Sequence, residues 1–450
     1  MRRRFLRGIA ASVTLSEFDG ASSLSEHRDE LRGCSVLIAT REQLSAALAM
    51  IELDGIAARL VLCPAGRSPA ELRSIALAAE SDVVIIDETA ESCDSATLGS
   101  VVRCGPTFKT INAPDERRQP TEWVLLTSGT TGAPKLVSHS LASLAGDMQD
   151  PGALGRDTVW GTFYDIRRYG GLQILLRALL SGGSLVMSSP DESVPDFMSR
   201  AAAAGVTHIT GTPSHWRRVL MSRAARLITP RYVRLSGEIA DQPILDGLRA
   251  VYPTAVIAHA FASTEAGLAF DVTDGLAGFP ESVVNQRSAD IEIKIEDGSM
   301  LIRSSRTATR YLNGDASSLR REDGFVETHD LVELRHGRYY FVGRRGGIIN
   351  VGGQKCYPEE VESVINQHPM VQMSLVKARK NPLLGSVVVA DVVLNASADI
   401  VPSDVAREAV RNEIMDACRR TLSAHKVPAT IRIVSTLEVT ASGKLQRPNA

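Results

Sequence analysis

Short apolar runs alternate with amphipathic helical patterns along the first 120 residues, and that rhythm leaves few ways to bury them. SVLIA (35–39) and RLVLC (59–63) read as strands. SPAELRSIALAAE (68–80) reads as a helix with Ser68 as its cap and Pro69 in its first position. DVVIIDE (82–88) is β-branched and continuously apolar, as a strand covered on both faces must be. The pattern predicts a parallel sheet with helices on its faces. The alternation resumes after a polar, proline-bearing link (112–122) and runs through WVLLT, LQILLRALLSGG, SLVMS, VTHIT, PSHWRRVLM and AVIAH.

Between 288 and 343 the texture changes. IEIKI, SMLIRS, GFVET, LVELR and RYYFVG are short strands separated by turn signals such as DGS and HGR, which predicts an antiparallel β region. A last α/β unit follows, and the Arg-Arg-Gly-Gly run at 344–347 is a flexible joint. We therefore expect an α/β chain in two parts. Residues 1–345 form a core of two helix-covered sheets plus the small antiparallel region, and 346–450 form a small, mobile α/β lid.

A chain of 450 residues carrying 50 Lys plus Arg against 52 Asp plus Glu lacks the positive field that holds nucleic acid. It also lacks the run of about 18–20 apolar residues that a membrane helix needs. MRRRFLRGIAASVTLSEF, basic and then interrupted by Arg7, reads as a frayed terminus and not as a targeting segment. Six scattered cysteines with no CxxC pair suggest reduced thiols in a cytoplasmic protein.

The stretch with the most chemistry is LLTSGTTGAPKLVSHS (125–140). After a strand end come Thr127, Ser128, Gly129, Thr130, Thr131, Gly132 and Lys135. Glycines let backbone N–H groups approach phosphate oxygens, hydroxyls add donors and the lysine adds charge. The Walker spacing GxxxxGK[ST] cannot be drawn through it, and on composition alone it could equally be a surface loop.

This string and four others, in order, resemble the adenylate-forming superfamily of acyl- and aryl-CoA synthetases, adenylation domains and luciferase-like enzymes. FASTEAG (261–267) is similar to its YGxTE segment and THDL (328–331) to its TGDL segment. GRRGGIINVGGQKCYPEEVE (343–362) is similar to GRxxDxIxxxGGxxxxPxEVE, and TASGKLQR (440–447) to PxTxSGKxxR. The resemblance implies activation of a carboxylic acid by ATP and Mg2+ to an acyl-adenylate, then transfer to a thiol.

It assigns roles to individual positions. Lys444 bridges carboxylate and α-phosphate, Glu265 binds Mg2+, and Thr264 donates to phosphate. Asp330 and Arg344 hold the ribose. Phe261 stacks on adenine, with the backbone of Gly237 and Glu238 on its other face. The Gly352–Gly353 pair, with Gly353 leaving space for pantetheine, favours CoA as acceptor, and a separate carrier protein is the alternative. A catalytically weak nucleotide-binding homologue is a second alternative, because Phe261-Ala262 replaces Tyr-Gly, His329 replaces Gly and Gly346 replaces Asp or Lys. The resemblance also makes the N-terminal part short for the family, and no carrier domain is visible after the lid.

The same resemblance implies that the acid meets the stretch 162–176, where adenylation domains for amino acids place an Asp. Asp165 there suits an ammonium group, whereas Arg167, Arg168 and Tyr169 suit a second carboxylate or a polar aryl acid. The alternative is an ion-paired helix start with Asp165 as its cap. The expected partner is a small or aromatic carboxylic acid, with neither nucleic acid nor membrane involved.

Overall fold

The computed structural model describes residues 3–24, 27–90, 100–111, 119–127, 134–149, 157–285, 290–313, 319–381, 384–395, 404–439 and 444–445. Its first sheet has Ser35–Ile38 at the centre, flanked in parallel by Arg59–Leu62 on one side and Val83–Asp87 on the other. Ser100–Cys104 extends the latter side and Glu122–Thr127 the former, both in parallel. Lys135–Ser140 and Arg310–Tyr311 then add antiparallel strands, giving seven in all. The central strands are buried along their whole length, as their unbroken apolar runs require. The helix Pro69–Ala78 starts as expected, with Ser68 accepting from the Glu71 amide and Glu71 reaching back to Ser68.

The second sheet has eight strands. Val159–Thr162, His208–Gly211, Tyr232–Ser236 and Val256–Ser263 run parallel in sequence order on one side. Ser184–Met187 pairs with the other edge of Val159–Thr162. Each sheet therefore has a point where the chain leaves a strand in one direction and later returns on its other side, and crevices for ligands open at the carboxyl ends of such strands.

The outer edge of this second sheet corrects the reading of the N-terminus as frayed. Phe5–Arg7 pairs in parallel with Ser184–Met187, and Ser12–Thr14 folds back on it. Leu6 and Val13 are buried. Arg4 donates to the carbonyls of Ala178, Leu179 and Gly183 at 3.1, 2.6 and 3.1 Å, satisfying the open end of the helix Tyr169–Leu180.

The antiparallel region forms a five-stranded sheet around Phe279, Met300, Ile302 and Val326. GFVET and LVELR, expected as separate strands, form one strand, Val326–Arg335. Pairing with Ser299–Ser304 shifts between Ser299 and Leu301, so Thr328, His329 and Asp330 bulge from the ladder and break its alternation. Beyond Arg345–Gly347, a short 3₁₀ turn, Ile349, Val361, Ile365, Val376, Ala390, Ile414 and Ile431 belong to a separate apolar cluster. That cluster joins the helices Pro358–Ile365 and Asp404–Thr421 to a three-stranded sheet.

Among the described residues no helix is long and apolar enough to cross a membrane. Cys34, Cys63, Cys104, Cys356 and Cys418 are free thiols, the last four buried.

Candidate active site

Thr127 and Lys135 are register partners at the carboxyl end of Glu122–Thr127, on neighbouring antiparallel strands of the first sheet. Ser128, Gly129, Thr130, Thr131 and Gly132 lie outside the described residues. The Thr127 hydroxyl lies 3.5 Å from Glu265 Oε1, and the Glu265 carbonyl accepts from the Ala308 amide at 2.9 Å. Lys135 places its ammonium 4.9 Å from the centre of the Tyr311 ring. Burial first, and the Glu265 carboxylate second, push the Tyr311 hydroxyl up to about 12. Thr127, Lys135, Glu265 and Tyr311 thus converge.

Thr264 is held from behind. Buried His139 on the strand Lys135–Ser140 donates from Nε2 to the Thr264 carbonyl at 2.8 Å. Because a carbonyl can only accept, that bond fixes the proton on Nε2. Burial pulls the His139 pKa down to about 4, so the ring is neutral at ordinary pH.

Asp330 is delivered by the bulge. His329 takes φ +60, and the buried Thr328 hydroxyl donates to the Met300 carbonyl at 2.9 Å while accepting the Asp330 amide at 3.1 Å. The left-handed conformation is the one a glycine would occupy without strain. Arg344, the register partner of Asp330, puts Nε 3.0 Å from its Oδ1. Burial raises the Asp330 pKa above the ordinary aspartate value, and Arg344 opposes that shift.

Lys444 enters the same space. A Cβ on Gly237, which has φ +85, would sit 3.2 Å from Lys444 Cε, so glycine there leaves room for the lysine stem. The residue keeps solvent access along the cleft, yet protein crowds its ammonium. Desolvation is the first cause holding its pKa below the usual lysine value. Glu238 and Asp330 oppose the shift while Arg344 and Arg168 add to it, and the solvent access moderates it. The Glu238 carboxylate accepts from Ser214 N and Oγ at 2.9 and 3.0 Å and from the Leu445 amide at 3.0 Å.

Phe261 lies in an aromatic ladder, stacked on Phe341 at 5.2 Å and on Phe270 at 5.9 Å. Gly353 is at an exposed hairpin tip, where Gly352 and Gly353 take φ +56 and +84 as a two-residue turn of this hand requires.

The predicted acid-binding trio has other occupations. Arg167 is fully buried and grips Asp165 with Nε at 2.7 Å and Nη2 at 3.0 Å. Its Nη1 donates to the carbonyls of Thr40 and Arg41, tying the carboxyl ends of the two sheets together. Asp165 is not the helix cap, since Tyr169–Leu180 begins after Arg168 with no side-chain cap bond. The Tyr169 hydroxyl accepts the Leu268 amide at 3.0 Å.

Sequence reasoning missed the polar stripe of that helix. Tyr169, Gln173 and Arg177 recur every four residues and so share one face. Among the described residues, Gln173 Oε1, Arg177 Nε and, on the strand Tyr232–Ser236, Arg234 Nε are buried with no hydrogen-bond partner. Arg234 also pairs with Asp271 at 2.6 Å. Arg168 Nε is likewise buried and unpartnered among the described residues. The available signal was a charged residue inside the apolar run LQILLRALL.

Residues 21–308 match the model of the AMP-binding enzyme family and residues 360–444 that of the AMP-binding enzyme C-terminal domain. A 2-succinylbenzoate–CoA ligase of Salmonella typhimurium is 31% identical over 56% of this chain and 53% of its own length. One of Listeria innocua is 27% identical over 72% of this chain and 68% of its own. The chain thus matches little more than half the length of the first of these relatives. In fold, it superposes on an anthranilate CoA ligase in complex with anthranoyl-AMP with a TM-score of 0.77 at 17% identity, covering 99% of this chain and 92% of that one. For an o-succinylbenzoate CoA synthetase of Bacillus subtilis the TM-score is 0.72 at 20% identity, covering 98% and 94%.

Proposed function

Because this chain belongs to the AMP-binding enzyme family, we propose that it is an AMP-forming acid–CoA ligase. The observation that carries this reading is the placement of Lys444 beside Asp330, Arg344 and Gly237. A substrate carboxylate oxygen attacks the α-phosphorus of ATP, the bond to the bridging oxygen breaks, and pyrophosphate leaves with that electron pair. The Lys444 ammonium offsets the charge that builds between carboxylate and phosphate. The sulfur of CoA then attacks the acyl carbon, AMP departs with the ester oxygen, and the thiol proton passes to solvent.

In this reading Asp330 and Arg344 hold the ribose, Phe261 with the Gly237–Glu238 backbone holds the adenine, and Thr127, Lys135 and Thr264 bind the phosphates. Glu265 is the residue that would hold Mg2+, since its half-buried carboxylate lies beside the Thr127 hydroxyl. Mg2+ takes one or two protein carboxylates plus phosphate oxygens and water, and it supplies charge neutralisation when bound.

The substrate in this reading is an acid with a second anionic group. Arg177 and Arg234 present buried Nε donors without partners among the described residues, a costly arrangement that an anionic substrate would relieve. The relatives' substrate, 2-succinylbenzoate, is an aromatic acid with two carboxylates. The lid is assigned to residues 346–450, supported by its separate apolar cluster and the open space around Gly346 and Gly347. The free thiols fit a cytoplasmic setting.

The test is pyrophosphate release from ATP and Mg2+ across fatty, aryl, dicarboxylic and amino acids, with and without CoA. The expected result is turnover of a dicarboxylic aryl acid that CoA accelerates. Arg177→Leu should raise the KM for that acid at least tenfold and leave monocarboxylic aryl acids unchanged. A hit indifferent to CoA would point to a carrier protein, and silence across the panel would remove the ligase assignment.

A further inference from the structure

The five residues from Gly237 to Asp241 carry two carboxylates, and each is held by the same helix, Pro213–Met221. Ser214 orients Glu238 through its amide and hydroxyl. Arg217, one turn further on, pairs with Asp241 at 2.5 Å. Both carboxylates have a second partner beyond residue 346. Glu238 accepts the Leu445 amide at 3.0 Å, directly after Lys444. Asp241 Oδ2 accepts Asn366 Nδ2 at 3.3 Å, and Arg217 adds a bond to the Gln372 carbonyl at 3.4 Å.

Beside the Arg217 and Asn366 contacts the two surfaces do not close. A cavity of about 450 Å3 opens there, lined by Leu220, Ile244, His368 and Val371 among others. A permanent seam is packed to the density of a protein interior, whereas surfaces that touch at a few oriented hydrogen bonds beside a void can separate and meet again.

We propose that the strip Glu238–Asp241 is a docking element that selects the pose in which Lys444 faces the nucleotide site, with Glu238 and Asn366 as positioning residues. The inference rests on the ligase reading only for its catalytic consequence. Asn366 is a discriminating position because its Oδ1 accepts the Ser374 hydroxyl at 2.9 Å within its own unit. Asn366→Asp keeps that acceptor, removes the donor to Asp241 and sets two carboxylates against each other.

The experiment is hydrogen exchange on the full chain without ligands, with and without N366D. The Leu445 amide should exchange about tenfold faster in the variant, the scale of losing one hydrogen bond to a charged group. The thermal midpoint should stay unchanged. Unchanged exchange at Leu445 in the variant overturns the proposal. Should N366D melt early, Asn366→Ala removes the donor without adding charge and must move the same amide.

A second arm uses 2-succinylbenzoate, ATP and Mg2+ for adenylate formation, and preformed acyl-adenylate plus CoA for transfer. N366D should slow the first about tenfold and leave the second unchanged, whereas equal loss in both marks a merely structural residue. A wild-type chain silent with this acid but showing the exchange pattern counts against the ligase reading and leaves the docking strip standing.

Discussion

Asp330 and Arg344 are register partners whose side chains meet at 3.0 Å, and they meet because His329 between Thr328 and Asp330 takes φ +60. A β-branched residue is the least compatible with that backbone. His329→Val should lower unfolding stability by about 1–2 kcal/mol, whereas His329→Gly should hold or raise it. Urea denaturation of both variants checks this, and equal stability for Val and Gly would mean the bulge is not left-handed in solution.

Lys444 carries a pKa below the ordinary lysine value. Only the ammonium form offsets transition-state charge, so the alkaline fall in adenylate formation should begin below pH 10.5, the usual lysine pKa. Glu238→Gln removes the strongest opposing charge and should move that fall to lower pH still. Lys444→Ala should cut adenylate formation by roughly 10²–10³-fold while ATP binding survives. Pyrophosphate release retained in that variant would remove Lys444 from the chemistry.

Arg167 has the geometry of a structural ion, not of a substrate contact. Its removal leaves Asp165 buried with its charge unpaired, which costs about 3–5 kcal/mol. Arg167→Met should therefore lower the denaturation midpoint sharply, and Asp165→Asn on top of it should recover part of the loss. An unchanged midpoint with a raised KM for the acid would return Arg167 to the pocket.

His139 ties stability to pH. Its folded pKa is depressed to about 4, so between there and the ordinary histidine value, 6.5, the unfolded chain binds the proton that the folded chain refuses. Stability should fall as pH drops through that window and level off below it, with about 3 kcal/mol at stake from this ring. His208 and His215, depressed to about 4 and about 3, act in the same direction. His139→Gln, which can still donate to Thr264, should flatten the slope by one proton in denaturation curves between pH 4 and 7.

The buried strands and the capped helix at 68 were legible because continuous apolar runs and Ser-Pro-x-Glu patterns are local signals. The strand Val326–Arg335 was read as two because its bulge interrupts the alternation by which strands are recognised. Asp165 and Arg167 looked available for substrate because sequence spacing cannot tell a carboxylate's partner two residues away from one on a ligand. The stripe Tyr169, Gln173, Arg177 follows helical spacing, but its significance lies in atoms left without partners, which only packing reveals.

The pairing of Leu6 with Leu185 has a consequence for how the chain is made. Synthesis proceeds from the N-terminus, at about 5–20 residues per second. The edge of Phe5–Arg7 that will face Ser184–Met187 is therefore open for roughly ten to forty seconds before that strand exists. Through that interval its apolar Phe5 and Leu6 are flanked by Arg4 and Arg7, and those charges discourage pairing with other nascent chains. The arginines beside this strand thus guard an unfinished sheet edge, and Arg4 ends by closing the helix that arrives with the missing strand.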